Sequence, residues 1–475
     1  MIPPAPLFSR RLALQSTSAG FGYLAFSGLS AWASEKSNAP EKANPLAPKK
    51  PHFAPKAKHV IFLCMEGAPS HVDTFDYKPK LKADDGKTMA KARTPFARLL
   101  ASPWEFTQHG QSGLWISELF PELAERADDL CLLNGMHTDL PAHPQAFTQL
   151  HTGLFQFRRP SLGAWMLYGL GSLNENLPGF VSINPPLQNG GPANYGSSFL
   201  PAIYQGTPIG GGVGPGGAGG LRPGSGGGAT VRNIRNPRQT SDSQRMQLDF
   251  LQSLNREALK RDPNNRAIEG SIESYELAFR MQKDMPQVLD LAKESAATKS
   301  LYGIGEATTE NFGKQCLLAR RMVEAGVRFV EVTSPRWDHH RNLKNDLPVN
   351  CHSVDRPIAG LLKDLKDRGL LDETLVLWGG EFGRTPYAQG TDGRDHNNKG
   401  FTMWMAGGGV KGGICHGKTD DYGYEAIDGK VHIHDWHATI LRLLGLDHEK
   451  LTYRYAGRDM RLTDVKGTVV QEIMA

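Results

Sequence analysis

The sequence predicts an α/β protein, a three-layer sandwich in which helices cover both faces of a mostly parallel central sheet. Two observations favour this fold class. Short, continuous apolar segments are typical of strands buried on both faces, and segments with helical periodicity alternate with them. Both features recur between residues 59 and 445 of the 475-residue chain.

The predicted elements alternate along the chain. The first strand covers residues 59–65, where His59 is followed by six apolar residues, and the run stops at Glu66-Gly67. Leucines and Ile358 recur at helical spacing over residues 358–365. The other predicted elements are a helix at 117–127, a strand at 130–133, a helix at 314–325, strands at 327–332, 375–378 and 401–406, and a final helix that runs to Gly445.

The N-terminal segment is predicted to be an export signal. Arg10-Arg11 precede an uncharged, moderately apolar stretch, and Ala31 and Ala33 provide the small residues that a signal peptidase requires. We therefore expect a twin-arginine signal at residues 1–33 and a periplasmic or extracellular protein. The alternative is a frayed N-terminal helix.

The remaining boundaries follow from composition. Residues 34–58, rich in Lys, Pro and Ala, are predicted to be a flexible linker before a domain at 59–465 and a C-terminal tail at 466–475. The glycine runs at 207–229 lack the strand and helix that flank a cofactor-binding loop, so we interpret them as a surface insertion. Residues 241–300 are predicted to form a helical excursion.

Charge and hydropathy exclude two classes of protein. The formal net charge is +5, but the first 58 residues carry +6, which leaves about −1 for the remaining chain. This balance argues against nucleic-acid binding. With 39% hydrophobic residues the chain is too polar for a multi-span membrane protein, and we expect no transmembrane span after removal of the signal.

The five cysteines indicate no disulfide framework. They are scattered without a CxxC pair, and an odd number leaves at least one thiol unpaired within the chain. Cys64 and Cys131 lie in apolar segments and are predicted to be buried packing residues.

Candidate functional residues follow the predicted strands. Ligands of a parallel sheet bind beyond the carboxyl ends of its strands. Imidazoles interleaved with carboxylates at those ends suit a divalent metal such as zinc. These residues are Glu66, Ser70, His71, Asp73 and Asp76 after the first strand, His137, Thr138, Asp139 and His143 after the second, Asp338, His339 and His340 after the third, Glu381, Arg384 and His396 after the fourth, and His432, His434, Asp435 and His437 near the end.

Several of these residues have a structural alternative. Only one of the adjacent His339 and His340 is expected to point inward. Arg384 either pairs with a structural carboxylate or holds an anionic substrate through its planar guanidinium. His437 either packs in the core or binds metal.

The pattern resembles the alkaline phosphatase and sulfatase superfamily. More closely, it is similar to the exported, sulfatase-like domain of unknown function family 1501, over residues 59–465. The matching segments are Glu66 to Asp76, Trp337-Asp338-His339-His340, Gly380 to Pro386, Gly393-Arg394-Asp395-His396, His434 to Leu441 and Tyr455 to Asp459.

The resemblance implies an alkaline phosphatase/sulfatase-like fold and an exported hydrolase with one or two divalent ions, Zn, Mn or Ca. In this scheme Glu66 or Asp73 binds metal after the first strand, and Asp338 with His340 holds the first ion. Glu381, with His396, completes the second site, and His434 or His437 closes it. His71, His143 and Arg384 are expected to contact the substrate.

The resemblance also implies a nucleophile after the second strand. The turn from Asp139 to His143 has Asp where the superfamily usually has Thr, so Thr138, Asp139 and Ser70 remain candidates beside a water molecule. No cysteine lies in the Cys-x-Pro-x-Arg segment of formylglycine sulfatases.

Two functions follow as hypotheses. The first is a metal-dependent hydrolase of a phosphate or sulfate ester, on a small molecule or a glycan. The alternative is a catalytically inactive secreted protein that binds anionic glycans on the same fold.

Overall fold

The structure, a computed structural model, describes residues 44–210, 239–262 and 265–475. The described residues form two compact units. The larger contains residues 46–210 and 277–475, and the smaller contains residues 44–45, 239–262 and 265–276. The predicted signal at 1–33 and most of the glycine-rich insertion lie outside the described residues.

The larger unit contains the strands and most of the helices. The strands are β1 His59–Met65, β2 Phe106–His109, β3 Leu114–Ser117, β4 Leu130–His137, β5 Phe180–Ile183, β6 Thr207–Ile209, β7 Phe329–Ser334, β8 Thr374–Gly379, β9 Gly383–Gln389, β10 Gly393–Asn397, β11 Phe401–Ala406, β12 Ile414–His416, β13 Lys418–Thr419, β14 Ala426–Asp428, β15 Val431–His432, β16 Tyr453–Tyr455 and β17 Arg458–Met460. The α-helices are α1 His71–Thr74, α2 Pro79–Ala83, α3 Pro121–Ala124, α4 His143–Thr152, α5 Leu162–Leu170, α6 Ser241–Arg261, α7 Arg266–Leu289, α8 Ala296–Leu301, α9 Glu310–Glu324, α10 Leu343–Asp367 and α11 Ile433–Leu443.

The central sheet has nine strands in the order β12-β4-β11-β8-β1-β7-β5-β6, with β15 also paired to β4. Neighbouring strands are parallel except β11, which is antiparallel to both β4 and β8. Every residue of β1, β7, β8 and β11 is buried. The mostly parallel α/β class predicted from the sequence is therefore confirmed.

Helices and loops cover both faces of the sheet. Successive residues of a strand point to opposite faces. On one face, Phe62 of β1 contacts the rings of His151 in α4 and Trp436 in α11. On the other, Trp378 of β8 packs edge-on against Phe75. The sheet is thus the middle layer of a sandwich, and the helices and loops on its two faces are the outer layers.

Several predicted boundaries differ from the structure. The helix expected at 117–127 is only α3, because β3 extends to Ser117 and Pro121 begins the helix. Residues 46–58 of the predicted flexible linker are packed: Leu46 and Ala57 are buried, and Phe53 N–H donates to the carbonyl of Gly445. The C-terminal tail also packs, with Ile473 buried.

The smaller unit is helical. Its α6 and the first part of α7 are joined by Arg245, which forms an ion pair with Glu276 at 2.8 Å. Gln252 Nε2 donates to the carbonyl of Ile272 at 2.8 Å. Among the described residues of both units, no helix combines the length and the apolar character that a bilayer crossing requires.

Candidate metal centre

Four side chains from three parts of the chain meet at the carboxyl edge of the sheet. They are His143, the first residue of α4, Asp338 and His340 in the loop after β7, and His396 in β10. Asp338 Oδ1 lies 3.2 Å from His143 Nε2, 3.0 Å from His340 Nε2 and 3.4 Å from His396 Nε2. The Nε2 atoms of His340 and His396 are 2.7 Å apart. We call these four residues the metal-ligand group.

The second nitrogen of each imidazole in the group has a hydrogen-bond acceptor. With each Nδ1 engaged in this way, the ring orientation is fixed and Nε2 is left to face Asp338. The acceptors are Glu381 Oε1 for His143 at 2.5 Å, the carbonyl of Pro141 for His396 at 2.8 Å, and Gln389 Oε1 for His340.

The geometry of the metal-ligand group fits a divalent cation. Zn–N and Zn–O distances near 2.0–2.1 Å place neighbouring ligand atoms of a tetrahedral site roughly 3.3 Å apart. The separations from Asp338 Oδ1, 3.0 to 3.4 Å, lie close to this value. The Asp338 side chain is 43% exposed, so the group is accessible from solvent.

The electrostatics of the group also favour a bound cation. Burial alone would lower the pKa of His143, but its hydrogen bonds to Asp338 and Glu381 outweigh burial and raise the pKa to about 9. Burial opposes ionisation of Asp338, yet His143, His396 and Arg384 lower the pKa of its carboxyl well below the usual range. The two carboxylates thus stabilise positive charge at this position, either as a proton on His143 or as a metal ion that displaces that proton.

Glu381 supports the group from behind. Its side chain is fully buried, and its two oxygens accept hydrogen bonds from Gly67 N–H at 3.2 and 3.4 Å. Gly67 has φ of +110°, and a Cβ there would lie 2.7 Å from the backbone nitrogen of Asp338. The loops after β1 and β7 therefore approach each other only because this residue is glycine.

Arg384 does not occupy the substrate-holding position expected from the sequence. It is fully buried, and its Nη2 donates to Asp338 Oδ1 at 2.6 Å. Its other bonds go to backbone carbonyls, because the guanidinium lies between the loops after β1 and β7 and strand β10. The carbonyls belong to Gly67, Ala68, Trp337 and Arg394. We therefore revise its role: Arg384 positions Asp338.

The residues after β1 are placed outside the metal-ligand group. Asp73 forms a buried two-oxygen ion pair with Arg394, at 2.6 and 2.9 Å, and accepts from Ser70 Oγ at 2.5 Å. His71 Nε2 is hydrogen bonded to the carbonyl of Gly423 at 2.7 Å. These buried contacts explain why Ser70, His71 and Asp73 do not face the group.

Glu66, the other predicted ligand after β1, is half-buried and accepts from Asn189 Nδ2 at 2.8 Å. Burial raises the pKa of its carboxyl, and the charge of Glu381 adds to the shift. Glu66 therefore lies close enough to the centre to interact electrostatically, but it is not one of the four converging side chains.

The candidate nucleophiles after β4 have other partners. Thr138 is buried, and its Oγ1 donates to Gln149 Oε1 at 2.9 Å. Asp139 accepts from Gln149 Nε2 at 2.5 Å and lies 3.2 Å from His432 Nε2. Neither residue belongs to the metal-ligand group.

The late histidines hold the end of α4 instead of closing the site. His434 Nε2 bonds to the carbonyl of Gly153 at 2.6 Å, and His437 Nε2 bonds to that of Leu150 at 2.8 Å. Burial lowers the pKa of His437 to about 3, so its ring is neutral. His143, expected only as a substrate contact, takes the place in the group that we predicted for His434 or His437.

A second group is fully buried and consists of Cys64 in β1, His151 in α4 and Glu331 in β7. His151 Nε2 and Glu331 Oε2 are 3.2 Å apart, and His151 Nδ1 bonds to the carbonyl of Phe147. We interpret it as an ion pair that joins α4 to β7. All five cysteines have free thiols, where the sequence predicted at least one, and Cys64 and Cys131 are buried as expected.

Fold and site define an α/β protein with a candidate metal centre at the carboxyl edge of its sheet. The chain belongs to the family described as Protein of unknown function (DUF1501), whose model matches residues 57–474. This membership confirms the family predicted from the sequence. A comparison with curated proteins gives no match.

Solved structures similar to this chain include members of the superfamily that the sequence resembles. A sulfatase from Pseudoalteromonas sp. has 14% identity and a TM-score of 0.34, with 83% of this chain and 68% of that chain covered. Alkaline phosphatase from the Antarctic bacterium TAB5 has 11% identity and a TM-score of 0.31, with 83% and 99% covered. A protein in the alkaline phosphatase superfamily from Vibrio parahaemolyticus has 10% identity and a TM-score of 0.36, with 89% and 74% covered. Because all three TM-scores are below 0.5, these likenesses support no functional argument.

Proposed function

We propose that this protein is an exported, metal-dependent hydrolase of a phosphate or sulfate ester. The observation that supports the proposal best is the orientation of three imidazoles. Each has its Nδ1 hydrogen bonded outward and its Nε2 directed at Asp338. Three imidazoles and one carboxylate favour Zn²⁺ over Ca²⁺, which prefers oxygen ligands.

The chain's own residues provide the scaffold for this chemistry. A bound divalent ion supplies Lewis-acid stabilisation of charge on the ester oxygens and lowers the pKa of water. Glu381 orients His143, and Arg384 fixes the carboxylate of Asp338. The side-chain hydroxyls of Thr138 and Ser70 are buried and already donate hydrogen bonds. We therefore propose water as the nucleophile, without a covalent enzyme intermediate.

The test combines metal analysis with an ester panel. Purified wild-type protein should contain a divalent metal and hydrolyse at least one of p-nitrophenyl phosphate, bis-p-nitrophenyl phosphate and p-nitrophenyl sulfate. The double variant His340→Ala/His396→Ala should lose both metal and activity. His352→Ala, which removes an exposed imidazole on α10, should retain both. Activity in the double variant equal to that of wild type would exclude the proposed centre.

The alternative, an inactive protein that binds anionic glycans, is favoured by the commitment of all three candidate nucleophile side chains to other hydrogen bonds. Retention on a sulfated-glycan resin before and after chelation separates the two. Binding that is unaffected by chelation, together with no hydrolysis across the panel, favours the alternative.

A further inference from the structure

A pocket of about 240 Å³ lies beside the metal-ligand group, and His396 is part of its wall. Pro141, whose carbonyl accepts from His396 Nδ1, lines the same pocket. At roughly 30 Å³ per water molecule in the liquid, the pocket is larger than a phosphate or sulfate group requires. It has room for a ring the size of one sugar.

Three cationic side chains line this pocket: Lys91, Arg93 and Lys399. Arg93 is paired with Asp395 at 2.6 Å. Lys91 and Lys399 are exposed, and within the described residues neither forms an ion pair with a carboxylate. The pocket therefore presents two uncompensated positive charges next to a metal ligand.

A pair of packed tyrosines also lines the pocket. Tyr387 and Tyr424 are buried, with ring centroids 6.0 Å apart. The Lys399 ammonium lies 5.1 Å from the centroid of the Tyr424 ring, within the range of a cation–π interaction. Asn397 Nδ2 donates to the carbonyl of Tyr424 at 2.9 Å, which attaches this tyrosine to β10. The Tyr424 ring thus favours a position of the Lys399 charge at the wall of this pocket.

We propose that this pocket binds a sugar-sized ring bearing an anionic group of its own, separate from the ester cleaved at the metal-ligand group. The inference rests on the proposed function for the identity of that ester. It assigns the substrate to the class of anionic carbohydrate esters, in which Lys91 and Lys399 bind the non-reacting carboxylate or sulfate. If the part of the substrate outside the ester were neutral, neither lysine would have an anionic partner.

The experiment uses two probes that contain no ester, methyl glucuronide and methyl glucoside, which differ by one carboxylate. Binding to the wild-type protein is measured by NMR titration at low ionic strength. Two exposed charge interactions are expected to favour the glucuronide by about fivefold to tenfold. Lys91→Ala/Lys399→Ala should abolish this preference.

The control is Lys363→Ala/Lys450→Ala, which removes the same charge from lysines paired elsewhere on the surface. It should keep the preference for the glucuronide. Equal binding of both probes by wild type, or a preference that persists in the Lys91/Lys399 variant, would overturn the inference. Because neither probe is an ester, these outcomes are independent of hydrolysis. If the purified protein is inactive or metal-free but still prefers the glucuronide, the proposed function is wrong and the assignment of the pocket stands.

Discussion

Glu381 lies behind the metal-ligand group and contacts it through His143. A buried carboxylate that accepts from the outer nitrogen of a ligating histidine fixes the ring and increases its basicity. The sequence placed Glu381 at the right edge of the sheet, because it follows β8, but residue type alone does not distinguish a ligand from its support. The His143 ring makes that distinction, because its Nδ1 is bonded to Glu381 while its Nε2 faces Asp338.

We expect Glu381→Gln to weaken metal binding by about tenfold to a hundredfold, because the amide cannot supply the negative charge that supports His143. The measurement is a competition titration against a chromogenic chelator, with His352→Ala as control. An affinity equal to that of wild type would show that Glu381 does not support a ligand.

Arg384 connects Asp338 to the backbone of the loops after β1 and β7 and of strand β10. This role leads to a stability prediction. Lysine keeps the charge but lacks the planar fork, so Arg384→Lys leaves buried carbonyls without donors. We expect the free energy of unfolding to fall by about 2–4 kcal/mol. Urea unfolding provides the measurement, with Arg158→Lys at an exposed position as control. A loss below about 0.5 kcal/mol, the usual size of a surface substitution, would contradict the assigned role.

At the scale of elements, α4 carries a ligand at its first residue and is anchored at its last turn. His143 begins the helix, while His434 and His437 bond to carbonyls at its far end. The sequence could not separate these roles, because all three imidazoles occur in polar segments near strand ends or a helix start. An imidazole in a sequence carries no information about which nitrogen faces which neighbour.

Asp355 in α10 caps α3 from another element. Its oxygens accept from the N–H groups of Glu122 and Leu123 at 2.9 and 2.8 Å. Burial outweighs these bonds and raises the pKa of the Asp355 carboxyl from 3.8 to about 6. The folded protein therefore binds this proton more tightly than the unfolded chain does.

As a result, the Asp355 contribution to stability is largest at low pH and decreases as the pH rises from about 4 to 6. The wild type is expected to be more stable than Asp355→Asn at low pH, and this difference in unfolding free energy should fall by up to about 3 kcal/mol across the range. Urea unfolding at pH 4 and pH 7 measures this difference, and Asp367→Asn, exposed on the same helix, should show no such change. A wild-type advantage that grows with pH would contradict the account.

The central strands could be predicted because each is a continuous apolar run. Such a run is the main pattern by which a sequence indicates a strand buried on both faces. Helix α3 was predicted too long because Leu114–Ser117 pairs with Phe106–His109 in a hairpin, a tertiary contact that overrides local periodicity. Residues 46–58 read as a linker from composition, yet backbone hydrogen bonds attach them to the end of α11.

At the scale of the whole molecule, the strand order determines the site. Because β4, β8, β1 and β7 run in one direction, their carboxyl ends meet at the same edge of the sheet. The rule that ligands bind there predicted Asp338, His340 and His396 from the sequence. Asp73 follows β1 at the same edge but is neutralised by Arg394, a pairing between residues 321 positions apart that no local pattern indicates.

The central claim is that His143, Asp338, His340 and His396 bind one divalent ion, and anomalous diffraction from crystals of the purified protein tests it most directly. We expect a peak at a zinc or other transition-metal edge about 2.0–2.2 Å from the three Nε2 atoms and from an oxygen of Asp338. Crystals grown with that metal that show no peak among these four side chains would contradict the claim.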